Sequence, residues 1–105
     1  SNVMDIVEVC EGLIYADLEG KVIVGQTIFG EINQDPIAKA IASILKEDLS
    51  EIKKGKLRDV MIGLEQGMLI GVKSDSNIVI GILGDDGMSS SGLLRKQLQN
   101  VMKQI

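Results

Sequence analysis

The sequence predicts a small α/β domain in which helices cover both faces of a β-sheet. Three observations lead to this prediction: three apolar strands follow one another between residues 57 and 86, a hairpin precedes them, and two helical segments differ in the width of their apolar faces. The three strands carry Val, Ile, Leu and Met at successive rather than alternate positions. Near-continuous apolar strands are typical of a sheet that is covered on both sides.

Turn residues set the limits of these three strands. Gln66 with Gly67, and Asp75 with Ser76 and Asn77, are residue types that tolerate positive φ or bond to their own backbone. The strands are therefore predicted at residues 57–65, 68–73 and 78–83.

Each of the three strands contains one interior glycine, at Gly63, Gly71 and Gly81. Glycine weakens a strand unless another group approaches its backbone closely. Two explanations follow: a helix packs tightly over the sheet at these positions, or a ligand lies there.

Residues 13–17 and 21–26 predict a β-hairpin ahead of the central strands. Gly20 suits the fourth position of a type I turn, where φ is positive, so the strands are joined by a three-residue loop. This register places Tyr15 opposite Ile23.

The middle helix has an apolar face that is too wide for one sheet to cover. It is predicted at residues 36–48, with Asp35 as its N-cap and Pro36 in its first turn. At 100° per residue its apolar side chains fill an arc of about 200°. We assign the bulky stripe to the sheet, namely Ile37, Ile41 and Ile44. The remaining stripe of smaller side chains consists of Ala38, Ala42, Leu45 and Leu49.

This second stripe needs a second partner. Small side chains let another helix approach closely, so the partner is another protein surface or another segment of the same chain. The last helix, which begins at Ser89, Ser90 or Ser91 as its N-cap, has only a narrow apolar seam and is expected to lie on the sheet.

A chain of 105 residues is expected to form one domain with one modest core. We assign that domain to residues 3–105 and interpret Ser1 and Asn2 as the scar of a removed tag. Residues 3–11 predict a short helix remnant that runs into a strand.

The composition excludes several classes of partner. Only 2% of the residues are aromatic and the net charge is −4, so nucleic acid is not an expected partner. No apolar run approaches the ~20 residues that span a bilayer, so membrane insertion is not expected either. A single cysteine without a sorting signal fits a reducing, cytoplasmic setting. The one basic cluster, Lys53, Lys54, Lys56 and Arg58, is a solvated loop or a contact site for an acidic partner.

The sequence offers no constellation for catalysis or for a cofactor. It lacks histidine and has only Cys10, which removes the commonest zinc sites and all His-based acid-base chemistry. The loop with Asp85 and Asp86 displays too few oxygens for a hard cation. We therefore expect a protein that is not an enzyme and that needs neither metal nor cofactor.

The order hairpin, helix, three-strand meander, helix resembles the Roadblock (dynein light-chain) family. The most specific part of this resemblance is the run GLIYADLEGKVIV at residues 12–24, which is similar to the family's strand, acidic-glycine turn and strand. The resemblance implies a five-stranded antiparallel sheet with helices on both faces, a Roadblock/profilin-like fold. The family has a full helix before the first strand, and here that helix is expected to be short or missing.

The resemblance also implies a homodimer in which the middle helices pack together and the third strands pair edge to edge. Family members are non-enzymatic adaptors and regulators, many of which work beside small Ras-like GTPases, so such a GTPase or a larger protein complex is the implied partner. The alternative from another class is a small-molecule sensor domain of PAS or GAF type, which the interior glycines motivate. The implied dimer interface consists of Ala38, Ile41, Ala42, Leu45, Leu49, Arg58, Val60, Ile62 and Leu64.

Overall fold

A computed structural model describes residues 10–104 of the chain. The predicted helix remnant at the start of the chain lies almost wholly outside these residues. Two 3₁₀ turns, Ser50–Ile52 and Asp85–Ser90, precede the third strand and the last helix. The regular elements are β1 (Gly12–Asp17), β2 (Val22–Thr27), α1 (Asp35–Leu45), β3 (Asp59–Leu64), β4 (Gly67–Lys73), β5 (Asn77–Gly84) and α2 (Ser91–Gln104).

The strands form one five-stranded sheet in the order β2-β1-β5-β4-β3, and every pair of neighbours is antiparallel. The two helices lie on opposite faces, because successive residues of β5 point to opposite sides of the sheet. Ile80 packs in the core beneath α1, whereas Val79 packs in the core beneath α2. The predicted antiparallel sheet with helices on both faces is confirmed, and β2 and β3 are its edges.

Two of the interior glycines are explained by helix packing. A Cβ added at Gly71 would lie 2.5 Å from Cγ2 of Ile41 in α1. At Gly81 it would lie 3.1 Å from Cδ2 of Leu94 in α2. Gly63, in the edge strand β3, is different because no atom lies within 4 Å of the position its Cβ would take.

The hairpin register differs from the predicted one by a bulge. Ala16 pairs with Val22, but Tyr15 pairs with Val24, so Ile23 is an extra residue in β2. The prediction that Tyr15 lies opposite Ile23 is therefore wrong. A bulge of this kind bends an edge strand and increases its local twist.

The helix α1 is shorter than predicted at its C-terminus and is capped differently. Asp35 is its first residue rather than its N-cap, and the N–H of Asp35 donates to Oδ1 of Asn33 at 3.2 Å. The helix ends at Leu45, and Asp48 caps the following turn, where its Oδ1 accepts the N–H of Ser50 at 2.9 Å. Neither described helix is long and apolar enough to cross a bilayer.

Candidate interaction surface

The helix α1 lies across the sheet between the β1–β2 loop and strand β3. A Cβ added at Gly20 would lie 2.7 Å from Cα of Lys39, and Nζ of Lys46 forms an ion pair with Glu19. Lys39 and Lys46 share one flank of the helix, so the opposite flank points towards β3. That opposite flank carries three apolar residues: Ile37, Ala40 and Ile44.

The stripe of smaller side chains faces the sheet rather than solvent. Its helical members, together with Ile41, are at most 2% exposed and belong to the core beneath α1: Ala38, Ile41, Ala42 and Leu45. The assignment of the bulky stripe to the sheet is correct for Ile41, and Ile37 packs at the margin of the same core, but Ile37 and Ile44 are only half buried. Small side chains permit close approach to any surface, and here they bring α1 close enough for Ile41 to lie over Gly71.

The strand β3 is an edge strand with apolar side chains on both of its faces. Val60 and Ile62 are half buried and pack on the core beneath α1, so Leu64 shares that face. Leu64 is 52% exposed, and Met61 on the opposite face is 41% exposed.

The backbone of β3 offers hydrogen-bonding groups at its free edge. The carbonyl of Arg58 accepts the N–H of Lys73 at 3.2 Å, and Asp59 stands opposite Val72. In an antiparallel pair the bonded residues alternate, so the even-numbered residues of β3 bond to β4. The N–H and C=O groups of Asp59, Met61 and Gly63 therefore point away from the sheet.

Helix and edge strand together form one apolar surface, which we call the α1–β3 surface. The two elements are in contact, and both present aliphatic side chains on the same side of the sheet. The surface consists of Ile37, Ala40, Ile44, Val60, Ile62 and Leu64.

The structure separates the nine residues of the predicted interface into two groups. Four of them, the buried residues of α1 named above, pack against the sheet. The other five, which lie at the surface or are only half buried, are Leu49, Arg58, Val60, Ile62 and Leu64. Whether these residues contact a second copy is still a prediction.

A charged cluster joins β3 to α2 on the other face of the sheet. Asp59, whose side chain is 12% exposed, accepts hydrogen bonds from Nε of Arg95 at 3.0 Å, Nε2 of Gln99 at 3.0 Å and Nε of Arg58 at 2.9 Å. Burial acts to raise the pKa of Asp59, but the hydrogen bonds from Arg95, Arg58 and Gln99 and the charge of Arg95 together lower it below its ordinary value. Sequence reasoning missed this cluster, because only Arg58 is adjacent to Asp59 and the other two partners, Arg95 and Gln99, lie 36 and 40 residues away.

A second apolar region lies at the opposite edge of the sheet. A hollow of about 310 Å³ opens there on the α2 face, with Leu13, Tyr15 and Val101 in its lining. Val24 of β2, which is 62% exposed, borders the same hollow. This region does not adjoin the α1–β3 surface, because β2 and β3 are the two outermost strands.

The described residues offer little chemistry beyond these surfaces. Within residues 10–104, no three His, Cys, Asp or Glu side chains are grouped so that they could hold a metal ion. Burial raises the pKa of the Cys10 thiol, while a hydrogen bond with the backbone of Gly12 acts in the opposite direction. A raised pKa keeps a thiol protonated and poorly nucleophilic at neutral pH.

Comparison with known proteins gives similarity in structure alone. No protein-family model and no curated protein sequence matches the chain. A Roadblock/LC7 domain from Streptomyces avermitilis superposes with a TM-score of 0.74 at 12% identity, over 99% of this chain and 94% of that one. MglB of Myxococcus xanthus superposes with a TM-score of 0.75 at 12% identity, over 94% of this chain and 77% of that one. Profilin II of Acanthamoeba castellanii superposes with a TM-score of 0.68 at 15% identity, over 98% of this chain and 92% of that one.

At such low identity these superpositions establish the fold and nothing finer. They cover nearly the whole chain, and they agree with the fold that the run at residues 12–24 implied. The chain has a Roadblock-like fold, which it shares with profilins.

Proposed function

We propose that this protein is a homodimeric, non-catalytic regulatory or scaffolding module that acts in the cytoplasm on a small Ras-like GTPase or within a larger protein complex. The observation that carries the proposal is the α1–β3 surface. It combines half-buried and exposed aliphatic side chains with an unpaired strand edge.

A second copy of the chain is the partner that best suits this surface. An apolar edge strand invites uncontrolled pairing unless something covers it. A two-fold axis beside β3 brings the same surface of two copies together. Strand β3 then faces β3 of the other copy, and the flank with Ile37, Ala40 and Ile44 faces the same flank of the other copy. A stable interface of this kind buries about 800 Å² on each partner, which a helix flank and a strand can supply together.

The regulatory part of the proposal is supported by resemblance. The hairpin run at residues 12–24 is similar to that of the Roadblock family, and the fold is that of a Roadblock/LC7 domain and of MglB. Members of that family act as adaptors and regulators, many of them beside small Ras-like GTPases. The α1–β3 surface and the region around Val24 lie at opposite ends of the sheet, so a dimer formed at one leaves the other available to a further protein.

Two measurements test the proposal in turn. Light scattering coupled to size-exclusion chromatography measures whether the chain is a dimer. Titration of the purified protein against a Ras-like GTPase of the same organism, loaded with GDP or with a non-hydrolysable GTP analogue, then measures a dissociation constant in each state. Binding that differs between the two nucleotides supports a regulatory role, and no binding in either state removes the GTPase from the proposal.

The hollow on the α2 face supports a second candidate function, that of a small-molecule sensor. Two of the three interior glycines no longer favour it, because helix side chains lie over Gly71 and Gly81. The apolar hollow beside Tyr15 and Val24 is the feature that does. A thermal-shift screen over nucleotides and apolar metabolites tests it, since a ligand that binds the folded state raises the melting temperature.

A further inference from the structure

We propose a specific pairing for the two edge strands: Ile62 lies opposite Ile62 of the other copy, and the partner's Glu65 binds the arginines that surround Asp59. This inference rests on the proposed homodimer, and it adds the register of the contact and a charged residue that each copy supplies to the other.

The free edge of β3 limits the possible registers. Its outward N–H and C=O groups belong to the odd-numbered residues, so these form the hydrogen bonds between copies. A two-fold axis perpendicular to the sheet keeps the α1 faces of both copies on one side of the combined sheet and the α2 faces on the other. Two residues that lie directly opposite each other must then point to the same face, so their numbers are both even or both odd. The axis therefore passes between the two copies of one residue. The two residues at the centre of β3 are Met61 and Ile62.

The axis through Ile62 matches the side chains better. It sets Val60 of each copy opposite the partner's Leu64, which covers the most exposed aliphatic side chain of β3. The axis through Met61 would instead set the charged Arg58 opposite Leu64.

The other face of β3 favours the same register. With the axis through Ile62, Met61 lies opposite the partner's Gly63. No atom lies within 4 Å of the position that a Cβ at Gly63 would take. The absence of that side chain leaves space for the long side chain of Met61, which is flexible enough to fill it.

This register also brings Glu65 opposite Asp59. Two carboxylates in opposed positions repel each other unless cations lie between them. Here Arg58 and Arg95 both bond to Asp59, so the cluster has two positive charges and one negative charge. The partner's Glu65 supplies the second carboxylate and balances the cluster.

Cysteine cross-linking tests the register directly. In a Cys10→Ser background, Ile62→Cys places two thiols directly opposite each other, where Cα atoms are about 4.5 Å apart and a disulfide can form. Met61→Cys is the matched control, because its Cα atoms would be about 7–8 Å apart on the diagonal, which exceeds the reach of a disulfide. Mild oxidation is expected to give a covalent dimer with Ile62→Cys and monomers with Met61→Cys on a non-reducing gel.

The other outcomes separate the register from the dimer. Cross-linking of Met61→Cys, alone or together with Ile62→Cys, overturns the register. No cross-linking of either variant, with a dimer by light scattering, overturns the strand pairing and leaves the homodimer in place. A monomer for the Cys10→Ser protein and for the unmodified chain overturns the homodimer itself.

Charge reversal tests the contribution of Glu65. Glu65→Lys is expected to weaken dimerisation at least about tenfold, because it brings a third cation to the arginines. Arg58→Glu in the same chain should restore most of the affinity by providing an anion next to Asp59, close to the new lysine. Glu31→Lys, which makes the same charge change on an exposed loop, is the control. Equal dissociation constants for Glu65→Lys and Glu31→Lys would show that Glu65 contributes nothing to the contact.

Discussion

Asp59 at the start of β3 accepts a hydrogen bond from Nε of Arg95 in α2 at 3.0 Å, and this pair ties the last helix to the edge strand. We predict that Asp59→Asn lowers the free energy of unfolding by about 1–3 kcal/mol, because the charge-assisted hydrogen bonds to this nearly buried carboxylate are lost. Urea denaturation monitored by circular dichroism measures the change. Asp75→Asn removes the same charge from an exposed turn and should change stability by less than about 0.5 kcal/mol.

The lowered pKa of Asp59 predicts a pH dependence with a definite sign. A carboxyl group whose pKa is lower in the folded than in the unfolded chain stabilises the fold fully above the unfolded pKa, which is about 3.9 for Asp. That stabilisation is lost as the pH falls through the folded pKa. We therefore expect the stability difference between the unmodified chain and Asp59→Asn to be constant near neutral pH and to shrink below pH 4. A difference that stays constant down to pH 2 at fixed protein concentration would contradict this.

Two alanines on α1 are predicted to respond differently to the same substitution. Ala40→Glu places a carboxylate on the exposed flank that we assign to the dimer, so it should give a folded monomer. Ala42 is 2% exposed and faces the sheet, so Ala42→Glu should lower the melting temperature by many degrees, because it buries an unpaired charge. Light scattering and thermal unfolding of both variants check the pair. Should Ala40→Glu remain a dimer, the outer flank of α1 is not part of the interface.

Glycine-to-alanine substitutions are expected to have opposite effects at two sites. Gly71→Ala brings a methyl group within 2.5 Å of Cγ2 of Ile41, and such overpacking costs about 1–3 kcal/mol. Gly92→Ala in α2 meets no atom within 4 Å and should stabilise the helix by up to about 1 kcal/mol. Urea midpoints of the two variants give the comparison. If Gly71→Ala is as stable as the unmodified chain, α1 does not lie as close to β4 as the structure indicates.

The strands and their order along the chain could be predicted because their signals are local. Turn residues such as Gly20 and Asn77 mark the ends of strands, and continuous aliphatic runs mark strands that are covered on both faces. The close approach of α1 could also be anticipated from Gly71. The bulge at Ile23 could not, because it adds one residue to β2 without any change in composition.

Which stripe of α1 faces the sheet could not be predicted from the sequence, for a physical reason. Its apolar arc is wide enough that either stripe can face the sheet, and side-chain size does not decide between them. The deciding contacts are tertiary: the β1–β2 loop packs against the flank with Lys39, and Ile41 lies over Gly71. The cluster around Asp59 depends in the same way on residues that meet only in the folded chain.

The mass of the unmodified protein in solution, measured by light scattering at micromolar concentration, tests the α1–β3 contact most directly. A homodimer predicts twice the chain mass of 11.3 kDa, and Ala40→Glu predicts a folded protein of 11.3 kDa under the same conditions. A mass of 11.3 kDa for the unmodified protein would contradict the homodimer and the strand register that depends on it.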